Sequence, residues 1–308
     1  MSALRLILRR VFVAVPVLLV VASLTFFALR AVPGGPYDRE KALPEAVLAN
    51  LEARADLDQP VAVQYVRWLG RTATGDLDVS MKYPNQSVAG IIGRAFPVSF
   101  ALGGLGALLA LLGGVAFGVI TALRPGSWLD RIGGALTTLG FSLPSFVLGS
   151  VLVLVFALWI GWFPAALWTS PLHAVLPALT LAAGPAAYVA RLTRGGVIEA
   201  LAEPWVRTAR AKGLPEHQVV LRHGLRNALG PVVTVSGPLV AWMITGSFVV
   251  EQIFAIPGLG RYFVTAVIDR DYSLVMGVTL FFAAIVIAAN ALVDLAYAWV
   301  DPRVRGRS

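Results

Sequence analysis

The run IGGALTTLGFSLPSFVLGSVLVLVFALWIGWFPAALWTSPLHAVLPALTLAAGPAAYVA, residues 132–190, contains no Asp, Glu, Lys or Arg. A helix rises 1.5 Å per residue and needs about 20 apolar residues to cross a hydrocarbon layer, so this run is too long for one span. Gly161, Pro164, Pro171 and His173 interrupt it with turn chemistry, which divides it into spans at 132–160 and 174–190. His173 reads as a loop histidine, since no second histidine or carboxylate lies at metal-ligand spacing. The fold class follows: an all-α integral membrane protein.

Working outward, four more charge-poor stretches reach spanning length, at 11–29, 96–123, 229–250 and from 272 to 293 or a little beyond, which makes six spans. The first lies between Arg10 and Arg30. It exceeds the length of a signal-peptide core, and Arg30 stands where a cleavage site would need small residues, so we read it as a retained span. Composition agrees with a bilayer solvent: 57% of residues are hydrophobic and 14% charged, with a mean hydropathy of +0.77. The formal charge of +8 does not indicate nucleic-acid binding, because the basic residues form short patches flanking apolar runs. Cysteine is absent, so no disulfide or thiolate metal site is available.

Residues 31–94 form a polar excursion with seven basic and eight acidic side chains. Helical composition over 44–57 and 61–69 predicts a small helical cap. With six spans both termini share one side. The N-terminus, the 124–131 loop, the 191–226 segment and the tail carry fifteen basic and five acidic residues, whereas the opposite loops carry nine and eleven. The positive-inside rule makes the termini cytoplasmic. The organisation is then 1–30, cytoplasmic N-terminus and first span; 31–94, outside; 95–300, a membrane core with a cytoplasmic loop at 194–228; and 301–308, a cytoplasmic tail.

Absent motifs narrow the chemistry. The sequence has no phosphate-cradling G-x-x-x-x-G-K-[ST], no H-E-x-x-H and no G-x-S-x-G elbow. Asp294 is the one carboxylate inside a predicted span, and it reads as an interfacial residue near the cytoplasmic end. Gly114 and Gly118 form a small-xxx-small pair that predicts close packing within the chain.

The segment RGGVIEALAEPWVRTARAKGLPEHQVVLRHGLRNALGP, beginning at Arg194, is too long for a simple turn. Glu203-Pro204 starts a helix, residues 205–212 continue it, and Gly213 ends it in a left-handed conformation ahead of Pro215. A second short helix runs from about Glu216 toward span five. This helix–glycine–helix element is a docking surface.

VRTARAKGL at 206–214 resembles the cytoplasmic loop signature of permease subunits of binding-protein-dependent, type I ABC importers, with Gly213 in register and Arg207 where that family carries an acidic residue. RRVFVAVPVLLVVASLTFFALRAVPGGP, LDQPVAVQYVRWLG, GDLDVSM, EQIFAIPGLGRYFVTAVIDRDYSLVMG and ALVDLAYAWVDPRVR are similar to the B-type subunit of oligopeptide and dipeptide permeases, with Gly35 where Asp is common. The resemblance covers nearly the whole chain. It implies the type I permease fold and half of a translocation pathway for di- or oligopeptides, or for nickel, glutathione or another small solute. It also implies that the chain is not itself an enzyme. Its partners would be a homologous C-type permease, two ATPase domains that bind ATP and Mg, and an extracytoplasmic solute-binding protein, all in a bacterial cytoplasmic membrane.

On this resemblance Arg207, Thr208, Ala209, Arg210, Lys212 and Gly213 meet the ATPase. Thr234, Ser236, Trp242, Thr245 and Ser247 on span five are candidate pathway residues, with ordinary helix packing as the alternative. In the outer loop after span five, Phe254, Pro257, Gly258 and Leu259 are candidates to face the binding protein, or else lie on lipid. An ion-coupled carrier or channel, and a membrane enzyme or assembly factor, remain the rival classes.

Overall fold

The structure is a computed structural model that describes residues 3–37 and 44–300, and the side chains of 12–37, 44–221 and 224–292 among them. The helices are α1 (Ala3–Ala31), α2 (Glu45–Arg54), α3 (Val61–Ala73), α4 (Val88–Ala122), α5 (Trp128–Ser142), α6 (Ser145–Leu152), α7 (Val175–Ala202), α8 (Pro204–Ala211), α9 (Glu216–Gln218), α10 (Arg226–Thr245), α11 (Phe248–Ile253), α12 (Leu259–Asp269) and α13 (Tyr272–Val300). Among the described residues, five helical stretches are long and apolar enough to cross a membrane, and a bent pair, α5 with the helix that follows it, makes a sixth if it is one span. The chain divides into two compact units, cut inside α4 at Val98–Ser99 and again at Ile256–Pro257.

In the 99–256 unit, α5, α6 and α10 pack on α7. Lipid tails are as apolar as leucine, so helix association here depends on close backbone approach rather than on hydrophobic driving force. Glycine provides that approach. A Cβ on Gly114 would sit 2.7 Å from the Ala186 carbonyl oxygen, one on Gly118 would sit 2.5 Å from that of Ala190, and one on Gly103 would sit 2.6 Å from the Ile244 Cα. The small pair at 114 and 118 therefore packs within the chain, as expected.

The third span differs from the single helix predicted over 132–160. It breaks at Leu143–Pro144, and its two halves meet at 109°. Leu143 is extended (φ −78, ψ 124), which is what a following proline imposes by clashing with a helical predecessor. Beyond α6 the backbone widens into a π-helix over Val153–Trp159. The turn predicted further on is present. There His173 lies in a short 3₁₀ turn, within hydrogen-bond distance of Ser170 Oγ (2.9 Å) and Thr169 Oγ1 (3.3 Å).

The second unit packs α1 on α13. Ala22, Phe26, Trp68, Tyr272 and Met276 form its buried cluster. The predicted helical cap is α2 and α3, and α3 joins that cluster through Trp68. Arg30 fixes the end of span one: its Nε donates to Gln64 Oε1 at 2.8 Å, and its guanidinium lies 3.5 Å from the Phe26 ring centroid. The Asp271 carboxylate, fully buried, accepts from Ser80 Oγ, from the Met81 and Lys82 backbone N–H groups, and from Leu274 N at 3.0 Å. One carboxylate thus caps α13 and pins the 80–82 loop, and truncating it would leave two buried donors, Ser80 Oγ and Leu274 N, unpaired at about 1–3 kcal/mol each. The outward side of α1 is apolar and bare, with Phe12 80% and Leu24 67% exposed, a surface that suits lipid and not water.

The tail at 301–308 and the Asp294 side chain lie outside the described residues.

Candidate functional site

α8 begins at Glu203, which is extended (φ −67, ψ 146), and has Pro204 at its first position, where a missing N–H costs nothing. It ends on a residue pair that satisfies its last carbonyls: Gly213 N donates to Arg210 O at 2.9 Å and Leu214 N donates to Ala209 O at 3.3 Å. Gly213 has φ +77. This is the Schellman arrangement, with Leu214 packing back on the same cluster as Ala209.

The helix is amphipathic. Val206 and Ala209 are buried with Val219, and Leu201, Trp205 and Leu214 pack around them. Arg207, Thr208, Arg210, Lys212 and Gly213 are exposed. The six residues chosen from sequence therefore divide. Ala209 is buried in its own chain, three positions after Val206 on the inner stripe, where it anchors the helix. Arg210 is exposed but engaged: its Nη2 and Nε donate to the two Glu216 carboxylate oxygens at 2.6 and 3.1 Å. That fork spans the Gly213 turn and raises the Arg210 pKa. Glu216 was missed because an acid six residues from a base matches no helical pairing rule, and only the reversal at Gly213 brings the two together.

The short helix expected from Glu216 does not stand alone. α9 runs into a π-helix over Val219–Leu225 and then directly into α10, so the Gly213 turn is joined to span five by helical backbone from Glu216 onward. A second pair supports the end of span four. Arg194 donates to both Asp130 oxygens, at 2.6 and 2.8 Å, and Asp130 also accepts from Gly126 N at 2.8 Å. No local pattern links residues 64 apart in sequence, and this contact was not anticipated either.

The five pathway candidates also separate. Thr234 is exposed, Ser236 half-buried and Trp242 56% exposed. Thr234 and Trp242 are eight residues apart with exposed Pro238 between them, so they share one face of α10. Thr245 and Ser247 are buried and bonded to their own chain, Thr245 to Ala241 O at 2.9 Å and Ser247 to the Glu251 carboxylate. Helix packing, the alternative reading, describes these two.

In the outer loop Phe254 and Leu259 are buried, at 1% and 0% exposure, and Gly258 is buried as well. Phe254 reaches toward Gly149 and its carbonyl accepts from Leu167 N at 2.8 Å. An apolar loop folds inward when its own chain offers cover, so of the four residues only Pro257 stays exposed. Among the described residues, no group of His, Asp or Glu is arranged to hold a metal ion.

Comparison with known proteins places this geometry. Residues 114–306 match the model of the binding-protein-dependent transport system inner membrane component, and residues 3–102 match its N-terminal companion. The chain is 46% identical over 301 residues to the dipeptide transport system permease protein DppB of Bacillus subtilis, covering 98% of each. It is 41% identical over 304 residues to the oligopeptide transport system permease protein OppB of Haemophilus influenzae, covering 98% of this chain and 99% of that one. Among solved structures, an amino acid ABC transporter matches at TM-score 0.52 and 17% identity over 67% of this chain and 92% of its own. The MetNI methionine ABC transporter matches at 0.51 and 20%, over 67% and 95%. The fold is thus that of ABC importer permeases, and the chain belongs to the family of binding-protein-dependent transport system inner membrane components.

Proposed function

We propose that the chain forms half of the membrane pathway of a peptide importer and takes its energy from ATPase domains that dock on α8 and the Gly213 turn. The observation that carries this reading is the presentation of Arg207, Thr208 and Lys212 on the outer side of a helix whose inner side is locked by Val206 and Ala209. Such an element has little to do for the chain's own stability beyond its inner stripe, and it suits a partner's cleft. The peptide cargo is supported by the full-length similarity to permease proteins of dipeptide and oligopeptide transport systems.

In this reading the assembly contains a second homologous permease, two ATPase domains that bind ATP and Mg, and a solute-binding protein on the other side. The chain sits in a bacterial cytoplasmic membrane with both termini and α8 on the cytoplasmic side and the α2–α3 segment outside, following the distribution of basic residues. Movement of docked ATPases would pull on α8, and continuous helix through Val219–Leu225 would carry that displacement into α10. Two discrete arrangements of the bundle, opening to either side, are what such rigid-body coupling requires. Thr234 and Trp242 on the exposed face of α10 line the pathway in this scheme, and Pro257 offers the outer loop's contact to the binding protein.

The test is co-purification followed by reconstitution. Tagged chain should bring down a homologous permease and ATPases, and the purified assembly should import peptide only with ATP and binding protein present. Peptide transport by the chain alone, driven by an ion gradient, would favour the carrier class.

A further inference from the structure

A cleft of about 530 Å³ opens between α4, α5 and α7, lined by Thr137, Thr138, Phe141, Ser142, Arg191 and Arg194 among others. None of the docking or pathway residues discussed above belongs to it. Along α5 it extends from the level of Asp130 to that of Ser142, twelve residues or about 18 Å of helix, so it reaches well into the depth of a bilayer. A guanidinium facing hydrocarbon would lack partners, so a cleft lined by Arg191 needs water or a polar ligand.

Its chemistry is specific. The Arg194 charge is consumed by Asp130. Arg191 has no carboxylate partner among the described residues: its guanidinium carbon lies 5.7 Å from the Phe141 ring centroid, which holds the side chain along the cleft wall with its N–H donors turned to an incoming anion. Thr137 and Thr138 both donate their hydroxyl protons to the Gly134 carbonyl, at 3.0 and 2.8 Å, so each presents acceptor lone pairs outward. Thr137 and Thr138 stand one helical turn before Phe141, on the same face as the ring that carries Arg191. One fixed cation followed along a helix by hydrogen-bond acceptors is complementary to a carboxylate preceded by N–H groups.

We propose that this cleft is a subsite for the C-terminal end of cargo peptide, with Arg191 pairing the terminal carboxylate and Thr137 and Thr138 accepting from N–H groups of the last residues. The inference rests on the peptide-import reading and extends it to named positions. It makes Arg191 a specificity-determining residue and gives Asp130 the job of keeping Arg194 from competing for the same anion.

The absence of native cysteine provides a direct test. Gly134 lines the cleft, and a Cβ there meets nothing within 4 Å, so Gly134→Cys installs a reporter without displacing a neighbour. In the assembled, reconstituted complex, the rate at which this cysteine reacts with a maleimide is followed while a tripeptide, or the same tripeptide with an amidated C-terminus, is added. The free acid should slow labelling and the amide should not. Adding Arg191→Gln should raise the concentration for half protection about tenfold, the loss of one charge-assisted pair, whereas Arg191→Lys should retain most of it. Equal protection by acid and amide, protection indifferent to Arg191→Gln, or a cysteine that never reacts would each overturn the proposal. Protection that follows the fraction of anionic phosphatidylglycerol in the vesicles instead of the peptide would overturn it in favour of a lipid headgroup. A wild-type complex that imports no peptide at all would instead remove the peptide-import reading, and the cargo assignment with it.

Discussion

Gly213 holds φ +77 at the end of α8 with open space around the position of a Cβ. A side chain there is opposed by backbone conformation, at about 1 kcal/mol or more, and not by any clash within the chain. Gly213→Asp should therefore insert and assemble normally but lose substrate-stimulated ATP hydrolysis and import in the reconstituted complex. Normal stimulation would remove the docking assignment. The neighbouring fork gives a second residue-scale prediction. Arg210→Glu and Glu216→Arg should each lower import per ATP hydrolysed by setting like charges across the turn, and the double swap should restore most of it. Failure of the swap to rescue would mean that Arg210 touches the partner directly. Much of this site was legible in the sequence, because Pro at the start and Gly at the end of a helix are local signals. The burial of Ala209 was not legible, since a motif position says nothing about which way a side chain faces, and Glu216 was invisible until the turn was placed.

At the scale of helices, packing of α4 on α7 depends on absent side chains. Gly118→Leu would force a Cβ to 2.5 Å from the Ala190 carbonyl oxygen, and overpacking of this kind typically costs about 1–3 kcal/mol. We expect a clear loss of thermal stability in detergent, while Gly113→Ala, where nothing lies within 4 Å, should leave the melting temperature unchanged. Equal behaviour of the two variants would contradict the packing described. The spans themselves were legible from charge-free length, and the 114/118 pair from its spacing. The break at Pro144 was not. Gly161, Pro164, Pro171 and His173 lie close together and mark a turn, whereas Pro144 stands apart from them in a charge-free run and acts through its effect on Leu143. Burial of Phe254 and Leu259 was likewise hidden, since an apolar residue in an outer loop reads equally as partner-facing or chain-facing until the fold supplies a neighbour.

For the whole molecule, the charge distribution and the helices together predict sidedness. Single cysteines at Asp56 and at Lys212, both in segments outside the apolar spans, should react with an impermeant reagent from opposite faces of the membrane. Reaction from one face would overturn the topology. In the proposed scheme a bundle joined by helix to an exposed turn moves solute with energy from a partner that docks there. The most direct measurement is peptide uptake into liposomes holding this chain with its second permease and ATPases, with binding protein supplied outside and ATP enclosed. The account predicts uptake that requires both ATP and binding protein and disappears when the ATPases are omitted. Uptake that persists without ATPases, driven by an imposed ion gradient, would contradict it.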